Sequence, residues 1–130
     1  MTKHEHILHW KETAEEDWLG SQDLFRAGRY MLCLFVAHLT IEKLCKSHWV
    51  KDNAENFPPR IHNLVRLLAA TSFALTPAQE VLLAELNRFQ MDGRYADYQR
   101  LIYKVATRAY TQQLLSDTKD FRQCLLNALP

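Results

Sequence analysis

RYMLCLFVAHLTIEKLCKSHWVKD, residues 29–52, decides the architecture of this chain. It holds neither glycine nor proline, and Tyr30 to Ala37 is apolar on nearly every face before the charges begin. A helix that is apolar all round is a buried one, so this helix is expected to be central to the core. At about 1.5 Å per residue such a helix spans the length of a small bundle.

Working outward, Gly28 reads as the C-terminal stop of a preceding helix over about Ile7 to Ala27. Ile7, Ala14, Trp18, Ser21 and Phe25 share one stripe of that helix, with Glu15, Glu16, Gln22 and Asp23 elsewhere. After residue 52 a polar loop runs to Pro58-Pro59, where helix cannot continue. A short helix carrying Leu64, Leu67 and Leu68 follows. Thr76, Pro77 and Gln79 then spell a helix start: an N-cap, a proline at the first helical position and a capping box. Ala78, Leu82, Leu86 and Phe89 are its expected buried stripe. Tyr110, Leu114, Phe121, Leu125 and Ala128 mark a last helix over about Thr107 to Leu129. Between these two, Asp92 to Ala106 contains Gly93 and several tyrosines and is expected to be a long irregular connection, of a kind often functional.

The expectation is therefore a single all-α domain of 130 residues. With 48% apolar and 24% charged residues the composition is globular. Three glycines and four prolines are too few for a turn-rich β-sandwich. Sixteen basic against 15 acidic side chains leave a net charge of +1, which supplies no global field for gripping nucleic acid. Cys33, Cys45 and Cys124 imply no disulfide framework and suit a reducing compartment. The first ten residues lack an apolar signal region, and the longest apolar run, Met31 to Ala37, is too short to cross a bilayer. A cytoplasmic protein with no membrane partner is expected.

Few residues offer independent chemistry. His4, His6 and His9 lie near the terminus, where poor order is expected. Cys33, His38, Cys45 and His48 share one helix, but only Cys45 and His48 share a turn, so no metal site is expected. Both thiols sit in apolar surroundings, where cysteine is inert packing. There is no Gly-rich phosphate loop and no nucleophile elbow.

Four stretches in order carry more. They are GRYMLCLFVAHLTIEKLCKSHW, PPRIHNL, the pair Leu86-Asn87, and RYADY, followed by the final amphipathic helix. Together they resemble the HEPN domain family of prokaryotes over nearly the whole chain. The resemblance implies a four- to five-helix up-and-down bundle that forms a homodimer. It also implies nucleotide binding, or RNA cleavage in toxin–antitoxin systems, often beside a minimal nucleotidyltransferase as partner. Glu42, Lys43 and Lys46 match an E-K-x-x-K stretch, His62 a P-P-x-x-H-x-L stretch, and Arg94, Tyr95 and Asp97 an R-Y-P-D stretch. Ala96 stands where proline is usual, and His38 where glutamine is frequent. The ribonuclease branch carries Arg, four to six residues, then His near its final helices. No histidine follows His62, so that signature is absent.

These seven residues are expected to line a nucleotide- or partner-binding cleft, with the Arg94 loop folded back toward Lys43 and Lys46. A self-sufficient enzyme is not expected, and no cofactor is implied. Two alternatives stand beside this one: a metal-independent endoribonuclease built on His62, Arg94 and the lysines, or a purely structural protein-interaction bundle. The plain roles also stay open. Glu42 and Lys46 suit a solvated i,i+4 pair, His62 a helix-start residue, Arg94 an ion pair with Asp92 or Asp97, and the tyrosines lids over the core.

Overall fold

A computed structural model describes all residues from Met1 to Pro130. It contains six helices and no strand: α1 (Lys3–Arg26), α2 (Tyr30–Asp52), α3 (Leu64–Ala69), α4 (Pro77–Asn87), α5 (Ala96–Val105) and α6 (Arg108–Asn127). Four long helices alternate in direction. Lys3 Nζ at the start of α1 donates to the carbonyls of Val50 and Asn53 at the end of α2, at 2.8 and 2.7 Å. His48 near the end of α2 meets the Leu125 carbonyl near the end of α6 at 2.9 Å, so those two helices run the same way. Tyr110 at the start of α6 bonds Glu85 late in α4, which makes α4 antiparallel to α6. The result is an up-and-down bundle, with α3 and α5 as short additions.

Local chemistry sets the ends. Gly28, at φ +76°, makes the left-handed step between α1 and α2 that a Cβ would strain. Thr2 and Glu5 form a reciprocal capping box, so α1 begins at Lys3 rather than Ile7. The His4–His9 segment is accordingly helical, and His6 meets the Phe57 ring edge-on at 5.3 Å. Thr76 and Gln79 form the expected box on α4.

α2 is central to the core as expected, with Cys33, Leu34, Ala37, Ile41, Leu44 and Cys45 enclosed, while Met31, Phe35 and Val36 are half-buried and Leu32 is exposed. The polar second half sits deeper, because α3, α4 and α6 all close on it. Two expectations are corrected by packing. On α4 the buried residues are Leu83 and Leu86, with Phe89 and Gln90 buried in the turn just past it, Ala78 exposed and Leu82 half-buried, and Leu129 replaces Ala128 at the end of the chain. Finally, Asp92 to Ala106 is not irregular. Tyr98, Ile102 and Val105 recur at helical spacing and pack on the core, Asp97 stabilises the positive end, and Gly93 at φ +75° breaks the chain just before.

Candidate functional site

The second half of α2 carries an unusual cargo for a core helix: His38, Thr40, Glu42, Ser47 and His48 are all buried. Ser47 and Thr40 are satisfied by backbone carbonyls at 3.0 and 3.2 Å. Glu42, only 4% exposed, needs charged partners, since a buried carboxylate without them is costly. Lys46 supplies one a turn later, with Nζ 3.1 Å from Oε2. Its ammonium also lies 5.4 Å from the centre of the Trp10 ring. His62 supplies the other from the loop before α3, where Nδ1 lies 2.7 Å from Glu42 Oε1. The second nitrogen of His62 faces Asp92 Oδ2 at 3.5 Å.

Behind this cluster His38 is wholly enclosed. Its Nε2 meets Asn87 Oδ1 at 3.3 Å, while Nδ1 stands 4.0 Å from Glu42 Oε1 and has no hydrogen-bond partner. Burial holds His38 below the ordinary imidazole range, against the opposing pull of Glu42 and Asn87. His48 is lowered for the same first reason, opposed by its bond to Leu125. Burial also pushes the thiols up, Cys33 to about 11 and Cys45 further, so neither is a nucleophile at neutral pH. No group of three or more His, Cys, Asp or Glu side chains is arranged to hold a metal ion.

Two neutral buried histidines give a pH dependence with a definite sign. In the unfolded chain each protonates as pH falls through about 6.5, whereas in the fold each stays neutral to lower pH. The unfolded state then binds more protons, so stability is lost on acidification below about pH 7 and regained as pH rises. The slope is at most about 1.4 kcal/mol per pH unit for each ring. Melting temperatures between about pH 7 and about pH 5 should fall steadily, and His48→Gln should flatten the fall. A wild-type melting temperature constant across that window would contradict the assignment.

The seven residues singled out by sequence do not gather at one place. Glu42, Lys46 and His62 meet. Lys43 turns to α1 instead and pairs with Asp17 at 2.7 Å, bracing the α1–α2 hairpin. The loop before α5 does return to the cluster, but through Asp92. Arg94 stays outside: its Nε donates to the Gln90 carbonyl at 3.3 Å and its guanidinium lies 4.5 Å above the Tyr98 ring. Tyr98 is itself fixed, its hydroxyl donating to the Arg88 carbonyl at 2.7 Å. Tyr95 precedes the first turn of α5 at 87% exposure without a capping bond, and Asp97 is exposed in that turn. Arg94 pairs with neither Asp92 nor Asp97, so that plain role is not taken up. Asp92 and Asn87 are the members that sequence reading did not place. Asn87 had a signal in the Leu86-Asn87 pair, whereas Asp92 depends on the path of a loop.

The cluster can therefore orient an imidazole and tie a loop to the central helix, and beside it a cation stands on an aromatic ring. A family model described as the HEPN domain matches residues 7–128. No curated protein and no solved structure matches the chain.

Proposed function

This chain belongs to the HEPN domain family, and from that membership we propose that it is a nucleotide-linked binding module. In this reading it works as a homodimer beside a partner nucleotidyltransferase, in a toxin–antitoxin type of setting, and is not an enzyme by itself. The observation that carries the reading is Arg94. Within the expected set the lysines are neutralised internally, Lys46 by Glu42 and Lys43 by Asp17. Arg94 alone lacks a carboxylate, and its stacking on Tyr98 leaves the guanidinium edge free for two phosphate oxygens. Tyr95 beside it is open to a base or a partner surface.

The homodimer draws no support from Leu114, Leu115 and Leu125 of α6, which fill the protomer's own core. Leu19 on α1, Leu32 on α2, Val81 on α4 and Leu101 on α5 are among the exposed apolar residues left for a partner. Residues of the membrane-spanning kind are no part of this picture: no helix is long and apolar enough to cross a bilayer.

Calorimetry with ATP tests the binding. Arg94→Ala is expected to weaken it by about 1–3 kcal/mol, the range for a charge-assisted hydrogen bond. Lys43→Ala should leave it unchanged, and light scattering on the same samples should give twice the 15.3 kDa chain mass. Equal affinity in wild type and Arg94→Ala removes the Arg94 site.

The Glu42–His62 bond favours a second reading, a metal-independent ribonuclease with a noncanonical site. Glu42 fixes Nδ1, and Nε2, which faces Asp92 Oδ2 at 3.5 Å, becomes a base for a 2′-hydroxyl once that carboxylate moves aside. The cluster around His62 lacks a free cation for the phosphorane charge, since Lys46 is engaged by Glu42 and Arg94 stays outside the cluster. RNA turnover in EDTA, lost in His62→Ala, would establish this reading over the first.

A further inference from the structure

We propose that His62 is a protonation-gated latch: as imidazolium it ties the loop of Asp92, Gly93 and Arg94 to α2, and as neutral imidazole it releases that loop. The inference concerns where the loop sits, and it rests neither on nucleotide binding at Arg94 nor on RNA cleavage at His62. Its basis is that each ring nitrogen meets a carboxylate. Nδ1 lies 2.7 Å from Glu42 Oε1, and Nε2 lies 3.5 Å from Asp92 Oδ2. A carboxylate only accepts, whereas a neutral imidazole offers one N–H and one lone pair. A neutral His62 would therefore aim a lone pair at one of the two oxygens. Only the imidazolium donates to both.

The two contacts are unequal, and that decides which one opens. Glu42 is nearly buried on the central helix, so the shorter bond keeps the single proton of a neutral ring. The Asp92 side chain is 61% exposed and is carried by a turn, so Asp92 is the partner that leaves. That turn is otherwise closed on itself. The Arg94 backbone N–H donates to the Met91 carbonyl at 3.1 Å, and Arg94 Nε to the Gln90 carbonyl at 3.3 Å.

The neighbouring groups favour a charged ring. On α2, Lys46 Nζ holds the other oxygen of Glu42 at 3.1 Å, and His38 Nδ1 stands 4.0 Å from Oε1. Burial keeps His38 below the ordinary imidazole range, and Asn87 of α4, which meets it, is uncharged. α1 reaches the cluster through the Trp10 ring beside Lys46. Two carboxylates thus face one ammonium, and the imidazolium is the second cation that balances them. Histidine is the side chain whose ordinary charge change falls between about pH 5 and 8. An ion pair as exposed as His62–Asp92 favours the closed loop by about two- to fivefold, so the latch biases the loop and does not lock it. Its sign is opposite to that of the whole fold. The latch tightens as pH falls, while the buried His38 and His48 cost overall stability.

The three glycines make the test direct, because Gly93 lies in the loop while Gly20 and Gly28 lie on and just after α1. In ¹⁵N-labelled protein titrated from about pH 8 to about pH 5, the Gly93 amide is expected to shift in one step that coincides with the His62 ring signals. ¹⁵N relaxation should show Gly93 less mobile at the acid end, with Gly28 unchanged. Carboxylates ordinarily titrate below this window and lysines above it, so a histidine accounts for the step. Asp92→Asn and His62→Gln should each abolish it. Asp92 is exposed and asparagine keeps its shape, so that variant tests the contact without disturbing the fold. A Gly93 amide that stays flat in the wild type would overturn the latch. A step that persists in Asp92→Asn would overturn it too, because the loop would then answer to something other than this ion pair. Persistence in His62→Gln would assign the step to another group, His38 first, and would equally overturn it.

Discussion

Phe89→Ala is expected to cost about 4 kcal/mol of folding stability, the middle of the range for emptying a buried aromatic site. Phe89 is fully buried at the end of α4 and lies 5.9 Å from the Tyr110 ring of α6. Around it the α4–α6 contact is polar and well knit: Tyr110 donates to Glu85, Arg88 Nη1 lies 2.7 Å from the same carboxylate, and Tyr98 holds the Arg88 carbonyl. These bonds fix the turn that carries Asp92 and Arg94, so the cavity should also loosen the site. Urea denaturation gives the energy, and faster tryptic cutting after Arg88 and Arg94 would report the loosened loop. Val81→Ala, at a position 71% exposed on α4, should stay within about 0.5 kcal/mol. A loss below about 1 kcal/mol for Phe89→Ala would show that α4 does not pack as described.

Glu42→Gln is expected to cost about 3 kcal/mol, because it removes the anion from a nearly buried pair and leaves the cation. The side chain keeps its volume, so packing is unchanged. What is lost is the balance for Lys46, whose side chain is 12% exposed, and the negative charge on the oxygen that His62 meets. Against a typical domain stability of about 5–15 kcal/mol the change is easily measured in urea. The sign of the coupling identifies the cause. Lys46→Met in the Glu42→Gln background should restore part of the loss, since the uncompensated ammonium is gone, whereas two unrelated defects would add. Strict additivity would mean that the 3.1 Å pair contributes nothing. His62→Ala should also free the loop that Asp92 shares, which would link the Glu42 cluster to the position of Arg94.

Much of the bundle was legible because helix formation is signalled locally. Thr76-Pro77 with Gln79 is a start that needs no distant partner, and the stripe Ile7, Ala14, Trp18, Ser21 records one buried face over four turns. The same kind of signal existed in Tyr98, Ile102 and Val105, and at Thr2 with Glu5. It was masked by neighbouring tyrosines in the first case and by a polar terminus in the second.

By itself the sequence determined the helical class, the order of the four long helices, the family and the identities of Glu42, Lys46 and His62 as chemically distinctive residues. Only the tertiary structure decided their partners. Glu42 finds His62 twenty residues on, Lys43 turns to Asp17 on another helix, and Asp92 rather than Arg94 closes the cluster. Only packing revealed that Arg29 and Tyr103 border one hollow, with Arg108 in the recess beside it. The physical reason is the range of the forces. Caps and helical periodicity act within a turn or two of chain, so they are written in adjacent letters. Burial of a charge and the pairing that permits it depend on which surfaces meet, and the bundle brings those together from opposite ends of the chain.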